Sequence, residues 1–293
     1  MHPILRAVDL PELVNLLLFI AVLTVLASAA LSDIRTREVN DGHWAAIGIF
    51  GIIAWTASSI ERGLEWGDVA IAAGMGMIIF DIIWNGERSM RVSALIYGSI
   101  FILFLLPFYV SSSESIAHAG LMILVFYVIY QLLYLIGLLR GGADAKCVIA
   151  LTVAFPVYPG FGIFPLIAIP EGLFSEVFVF SLAVLFYALL FSLTAAIYFI
   201  YRNVREGNLS RRMFSGYVMD VEDALDSYVW PMDDVIDGNL EKIQIPEFTL
   251  EVYERLMGKG EKQIWVTPMI PFIVPIFVAF IFTGLVGNPL FLI

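Results

Sequence analysis

The chain has 293 residues, 60% of them hydrophobic, with a mean hydropathy of +0.89 and a net charge of −11. Such a composition excludes a soluble globular domain. One cysteine, Cys147, excludes a disulfide framework and a Cys-based zinc site, and His2, His43 and His118 lie in unrelated positions that do not suit a histidine-based triad. No metal, cofactor or nucleic-acid partner is expected.

Apolar runs long enough to cross a hydrocarbon core of about 30 Å recur along most of the length. Continuous runs such as Ile116 to Gly137 lack the alternation of a β-barrel. The expected class is therefore all-α, a polytopic membrane protein of about eight transmembrane helices with a cytoplasmic insertion. The first apolar run continues to Ala30 and ends in a charged loop without a convincing cleavage site, so no cleavable signal peptide is expected.

In chain order the expected helices cover 12–32, 43–60, 67–84, 92–110, 116–139, 145–169, 173–201 and 265–287. Breakers separate them: Asn40-Asp41-Gly42, Glu61-Arg62-Gly63, Asn85-Gly86-Glu87-Arg88, Ser111-Ser112-Ser113 and Pro170-Glu171-Gly172. Pro156, Pro159 and Gly160 interrupt the sixth, which can break, kink or re-enter where neighbouring protein satisfies the freed backbone. With the N-terminus outside, Arg35, Arg37, Arg88, Arg91, Arg140, Lys146 and all basic residues of 202–263 fall inside. Of 16 Lys and Arg residues, only Arg6 and Arg62 then fall outside.

Three regions follow: a membrane core over 1–201, a cytoplasmic insertion over 202–263 and a final transmembrane helix over 264–293. The insertion carries 13 acidic and eight basic side chains. Its basic start, Arg202 to Arg212, suits an anionic inner leaflet. Val221, Ala224, Leu225 and Tyr228 recur at helical spacing and predict a short amphipathic helix. Asp233-Asp234-Val235-Ile236-Asp237-Gly238 resembles a calcium loop but lacks an oxygen ligand at the third position and the bidentate glutamate at the twelfth.

Asp33 ends the first expected span and Asp144 lies between the fifth and sixth, so the count puts both on the cytoplasmic face. Two carboxylates at a water-accessible membrane edge can hydrolyse a peptide bond, one ionised to activate water and one protonated to polarise the carbonyl; like charges held close enforce that division. Taken singly, Asp33 reads as a solvated loop residue, and Gly141-Gly142 with Asp144 as the end of one helix and the cap of the next. The glycines equally permit unusual dihedrals and leave room for an extended substrate.

The stretch Asp33-Ile34-Arg35-Thr36-Arg37-Glu38-Val39-Asn40-Asp41 resembles the first aspartate motif of type IV prepilin peptidases. Gly141-Gly142-Ala143-Asp144-Ala145-Lys146 resembles their second, Gly-x-Gly-Asp followed by Lys, with Ala143 in place of the second glycine. The archaeal branch, the preflagellin (prearchaellin) and prepilin peptidases, is the nearer likeness, and Trp265 to Phe272 resembles the start of its Pro-containing last helix. The resemblance implies that Asp33 and Asp144 are the catalytic pair of a GxGD-type membrane aspartyl protease. It also implies cleavage of the short basic leader of pilin-like or archaellin precursors where leader and hydrophobic segment meet at the inner interface. The other implied partner is the lipid bilayer of the cytoplasmic membrane.

Against that likeness, the aspartates lie about 110 residues apart, room for two more spans than compact archaeal members need. Residues 202–263 have no counterpart in the minimal catalytic core. Bacterial relatives that also methylate carry a cysteine-rich zinc domain; one cysteine cannot build it, so peptidase activity without methylation is expected.

Three more residues invite a role. Asp81, inside the third span, is either a support of the catalytic pair or a hydrogen-bonding partner of a neighbouring helix or of Arg88. Lys146 biases the pair, holds the loop or meets lipid headgroups. Glu38 and Asp41 either attract a basic leader or are solvated. Gly48, Gly51, Gly74 and Gly76 suit close helix packing, and Cys147 is read as a packed residue. Competing functions are a presenilin-like intramembrane protease, a transporter whose broken sixth helix lines a path, and a non-catalytic scaffold.

Overall fold

The computed structural model describes residues 9–139, 141–170, 178–243 and 250–292. Arg6, Arg140, the Glu171-Gly172 breaker and the expected span start at 173 lie outside them. In chain order the helices are α1 (Leu10–Thr36), α2 (Gly42–Arg62), α3 (Trp66–Ile83), α4 (Met90–Leu105), α5 (Pro107–Val110), α6 (Glu114–Leu135), α7 (Gly142–Ala154), α8 (Phe180–Glu206), α9 (Val221–Leu225), α10 (Leu250–Gly258) and α11 (Ile273–Leu285). The chain divides into two compact units, one running to Ala188 and resuming at Phe272, the other Leu189–Pro271.

The first unit is a polytopic helical bundle. Among the described residues, seven segments are long and apolar enough to cross a bilayer: α1, α2, α3, α4 with α5, α6, α8 and Ile273–Leu292. Leu17, Ile53, Leu95 and Leu135 stay more than half exposed, as side chains facing acyl chains do. The interior is filled by Leu26, Trp44, Ile47, Ile71, Met75, Ile78, Ile100, Phe104, Tyr130 and Phe280.

The sixth expected helix, 145–169, is not continuous, for a physical reason. Helix α7 has 13 residues and, at about 1.5 Å each, is far short of the hydrocarbon thickness. It stops at Phe155, because Pro156 restrains the residue before it and cannot continue the hydrogen-bond ladder. The following stretch to Pro170 is irregular, and its backbone is satisfied by protein. Phe161 and Phe164 exchange hydrogen bonds, Leu166 and Ile167 donate to the carbonyls of Leu285 and Val286, and Asn15 donates to the Gly160 carbonyl. Those contacts make irregular backbone tolerable at membrane depth.

Helix α2 lies against α1, α3 and α7 and so joins the segments that carry the two aspartates. At Gly51 a Cβ would come within 2.5 Å of the Ala154 Cα, so only glycine lets α2 and α7 approach this closely. Gly48 and Gly74 are likewise packed against neighbours, whereas Gly76 has open space.

The second unit contains a sheet that the all-α expectation lacks. Strands β1 (Tyr217–Asp220), β2 (Val229–Pro231), β3 (Asp233–Ile236), β4 (Asn239–Lys242) and β5 (Gln263–Pro268) form a three-stranded antiparallel sheet, β1-β5-β2, and a β3-β4 hairpin. Its core is Val221, Ala224, Val229, Val252, Tyr253, Leu256, Ile264 and Val266. The amphipathic helix forms as α9, shorter than its apolar spacing predicts. Asp237 and Gly238 both have positive φ, 50° and 78°, the geometry of a two-residue hairpin turn, so the would-be calcium loop is a hairpin. The last helix starts eight residues later than expected, because Ile264 and Val266 alternate into the sheet before Pro268 and Pro271.

Candidate active site

Asp33 lies in the last turn of α1. The helix ends at Arg37, whose left-handed backbone (φ 56°) directs its N–H to the Asp33 carbonyl at 3.2 Å, and the Arg37 guanidinium donates to the same carbonyl at 3.3 Å. The Asp33 carboxylate is buried and turned inward, where its Oδ2 accepts the Ile273 N–H at 3.1 Å. Ile273 is the first residue of α11, so this carboxylate satisfies one of the unpaired donors at that helix's positive end.

Asp144 occupies the third position of α7 after the N-cap Gly141, and its carboxylate accepts the Gly141 N–H. This is one half of a capping box, so the capping role read from the sequence is real. Gly141 is extended, φ −84° and ψ 123°, and Gly142 is helical; neither needs glycine's dihedral freedom, contrary to one reading of the sequence. What Gly141 supplies is space: a Cβ there would overlap the Asp144 carboxylate. A Cβ on Gly142 would meet its nearest atom, the Tyr134 hydroxyl, at 3.8 Å, an ordinary contact.

The fold brings these two aspartates together from opposite ends of the first five helices. The Asp33 charge acts directly on the Asp144 carboxyl, and each carboxylate is held by a backbone N–H at a helix N-terminus. Carboxyls within electrostatic reach of one another are suited to dividing the roles of general acid and general base.

Asp81 is elsewhere. It is buried in α3, where its Oδ1 pairs with Arg88 and its Oδ2 accepts the Tyr127 hydroxyl at 2.6 Å and the Gln131 amide at 3.3 Å. Arg88 also donates to the Asp81 carbonyl at 2.7 Å. These bonds tie α3 to α6 and to the α3–α4 connection. Asp81 borders a cleft of about 220 Å³ whose α7 wall is Gly142, Ala145, Lys146 and Ile149. At about 100° per residue, Asp144 lies roughly half a turn round α7 from that wall.

Lys146 donates to Asp41 at 2.7 Å and to Asn85 at 3.0 Å, the loop-holding one of its three sequence readings. Asp41 is thereby engaged, whereas the Glu38 side chain is exposed. Cys147 is fully buried. The Ile273 amide is the part of the site that sequence reasoning missed; its only signal was the proline pair, Pro268 and Pro271, that delays α11.

Residues 210–288 match the family described as Archaeal Peptidase A24 C-terminus Type II. A preflagellin peptidase of Methanocaldococcus jannaschii is 26% identical over 267 residues, covering 89% of this chain and 89% of the relative. An uncharacterized protein of the same organism is 27% identical over 264 residues, covering 86% and 85%. The family match runs through most of 202–263, so that segment is shared with relatives and is not peculiar to this chain.

Proposed function

We propose, from its likeness to an archaeal preflagellin peptidase and to the archaeal A24 peptidase C-terminal family, that the chain is an aspartyl endopeptidase of the cytoplasmic membrane. Its substrates are type IV pilin-like or archaellin precursors, from which it removes the short basic leader at the cytoplasmic face. Asp33 and Asp144 are the general acid/base pair. The observation that carries this reading is their meeting: carboxylates 111 positions apart lie within electrostatic reach, each fixed by a backbone N–H.

The chemistry follows from two such groups sharing a proton. The ionised carboxylate takes a proton from water as the water oxygen bonds to the scissile carbonyl carbon, and the protonated carboxyl gives its proton to the carbonyl oxygen. The resulting tetrahedral diol collapses when a proton passes to the peptide nitrogen and the C–N bond breaks. Backbone donors are suited to holding the pair, because they fix its geometry without adding a competing charge. Gly141 and Gly142 leave the approach to Asp144 open, and Lys146 holds its loop.

Substrate placement is consistent with this. Arg35, Arg37, Arg88, Arg91 and Lys146 lie at or beside the ends of α1, α3, α4 and α7 that the span count puts on one face, which supports a cytoplasmic site. A basic leader stays on that face while its hydrophobic segment enters the bilayer, so the bond between them lies at the depth of the pair. The exposed Glu38 carboxylate remains available to a basic leader. Asp81 and the Pro156/Pro159 break, which favour a transport path, are both occupied by hydrogen bonds within the bundle.

The test is cleavage of a pilin-like precursor in membranes containing the protein, with the product N-terminus determined. Leader removal at the edge of the hydrophobic segment by the native protein, and none by Asp33→Asn or Asp144→Asn at normal protein levels, is the expected result. Cleavage by either variant at the native rate overturns the role of that residue.

A further inference from the structure

Asp41 occupies the N-cap of α2, where an aspartate ordinarily turns its carboxylate onto the N–H groups of the first turn. Here it makes no such bond; Asn40 takes the Gly42 N–H instead, at 2.7 Å. The freed Asp41 carboxylate receives Lys146 Nζ on Oδ1 at 2.7 Å and Asn85 Nδ2 on Oδ2 at 2.5 Å. Lys146 also donates to Asn85 Oδ1 at 3.0 Å, which closes a ring in which each side chain holds the other two. Lys146 and Asp41 are each only 24% exposed, so the pair is partly shielded from water, where an ion pair holds geometry better than on an open surface.

The three side chains come from three different places: the α1–α2 connection, the α3–α4 connection and the first turns of α7. Asp41 lies eight residues beyond Asp33, on a connection fastened back to α1 by the Ser32 and Thr36 hydroxyls, which donate to the Glu38 carbonyl at 2.8 and 3.0 Å. Lys146 lies two residues beyond Asp144. The ring therefore links the end of α1 that carries one carboxylate to the start of α7 that carries the other, without touching either.

We propose that Asp41, Lys146 and Asn85 form a clasp that sets the separation of Asp33 and Asp144. They are positioning residues: they contact no reacting atom, and they act by holding α7 against the α1–α2 connection. The inference rests on the reading that Asp33 and Asp144 are the reacting pair. A shift of about 1 Å in such a pair lowers a rate by up to about 100-fold, so even a modest loosening of α7 is measurable.

The experiment is a kinetic cycle on the full chain in membranes, with a pilin-like precursor as substrate and protein level and melting temperature recorded for each variant. Lys146→Met and Asp41→Asn are each expected to lower kcat about tenfold with KM within about twofold. The double variant is expected to be no worse than the poorer single one, because both remove the same link. Lys146→Arg, which keeps the charge, is expected to recover most of kcat. Native kcat in both single variants, or losses that multiply in the double variant, overturns the clasp. A raised KM at unchanged kcat also overturns it and assigns Asp41 to leader binding. Asp33→Asn and Asp144→Asn in the same membranes separate the two claims: if these are silent while the clasp variants cleave normally, only the clasp fails.

Discussion

Two carboxylate sites in the bundle are finished in opposite ways. Around Asp81, a guanidinium, a phenol and an amide all converge on one carboxylate and tie α3 to α6. Around Asp33 and Asp144, backbone N–H groups hold the carboxylates, and the Asp33 charge reaches Asp144. A carboxylate neutralised by a paired cation and saturated with donors stabilises a fold. A carboxylate held beside another carboxylate costs stability, as the proposed catalytic pair requires. Their partners distinguish the two sites.

The largest effect expected from this contrast is on catalysis. Asp33→Asn or Asp144→Asn removes one of the two proton-transfer groups, and precursor cleavage is expected to fall about 10³-fold or more with little change in melting temperature. Asp81→Asn is expected to do the reverse. It leaves Arg88 without its buried counter-ion and costs about 3 kcal/mol of stability, seen as a lower melting temperature, while cleavage per folded molecule stays within a few-fold of native.

A smaller effect separates the two glycines. Gly141→Ala puts a methyl group into the Asp144 carboxylate and is expected to lower kcat about tenfold, the equivalent of a modest overpacking strain. Gly142→Ala meets only the Tyr134 hydroxyl at contact distance, so its kcat is expected to stay near native. Equal losses in the two variants would mean that chain flexibility at these positions matters more than space.

The smallest effect concerns a third kind of carboxylate, half-buried and paired outside the bundle. Asp234 on β3 accepts two hydrogen bonds from Arg255 at 3.0 and 2.6 Å, which hold its carboxyl below the ordinary range. A depressed carboxyl contributes stability above its unfolded pKa of about 3.9 and loses it as pH falls through the lower folded value. Arg255→Ala should therefore speed amide exchange in the β3–β4 hairpin at neutral pH, and the difference should vanish in acid below that folded value.

Much of this was legible in the sequence. The spans were readable because length and hydropathy alone decide what crosses a bilayer, and both aspartates stood out as charges at the ends of apolar runs. The break after Ala154 was announced by Pro156 and Pro159. The sheet was not read, because its strands have three to six residues and β5 merges into the apolar run that leads to α11. Its one clear signal is Asp237-Gly238 between two short runs, which the surrounding acidic residues disguise as an incomplete calcium loop. The donor to Asp33 was beyond reach of sequence reasoning: a backbone N–H has no identity in the sequence, and this one lies 240 residues away. Asn85 likewise read as a loop residue, because its value depends on where Asp41 and Lys146 meet.

The central claim is that the Asp33–Asp144 pair is reactive and Asp81 is structural. The direct test is single-turnover cleavage of one precursor by Asp33→Asn, Asp144→Asn and Asp81→Asn proteins in the same membranes, normalised to folded protein. The expected result is no product above background from the first two and near-native turnover from the third. Native-rate cleavage by Asp33→Asn or Asp144→Asn, or a fully folded Asp81→Asn protein that cannot cleave, would contradict it.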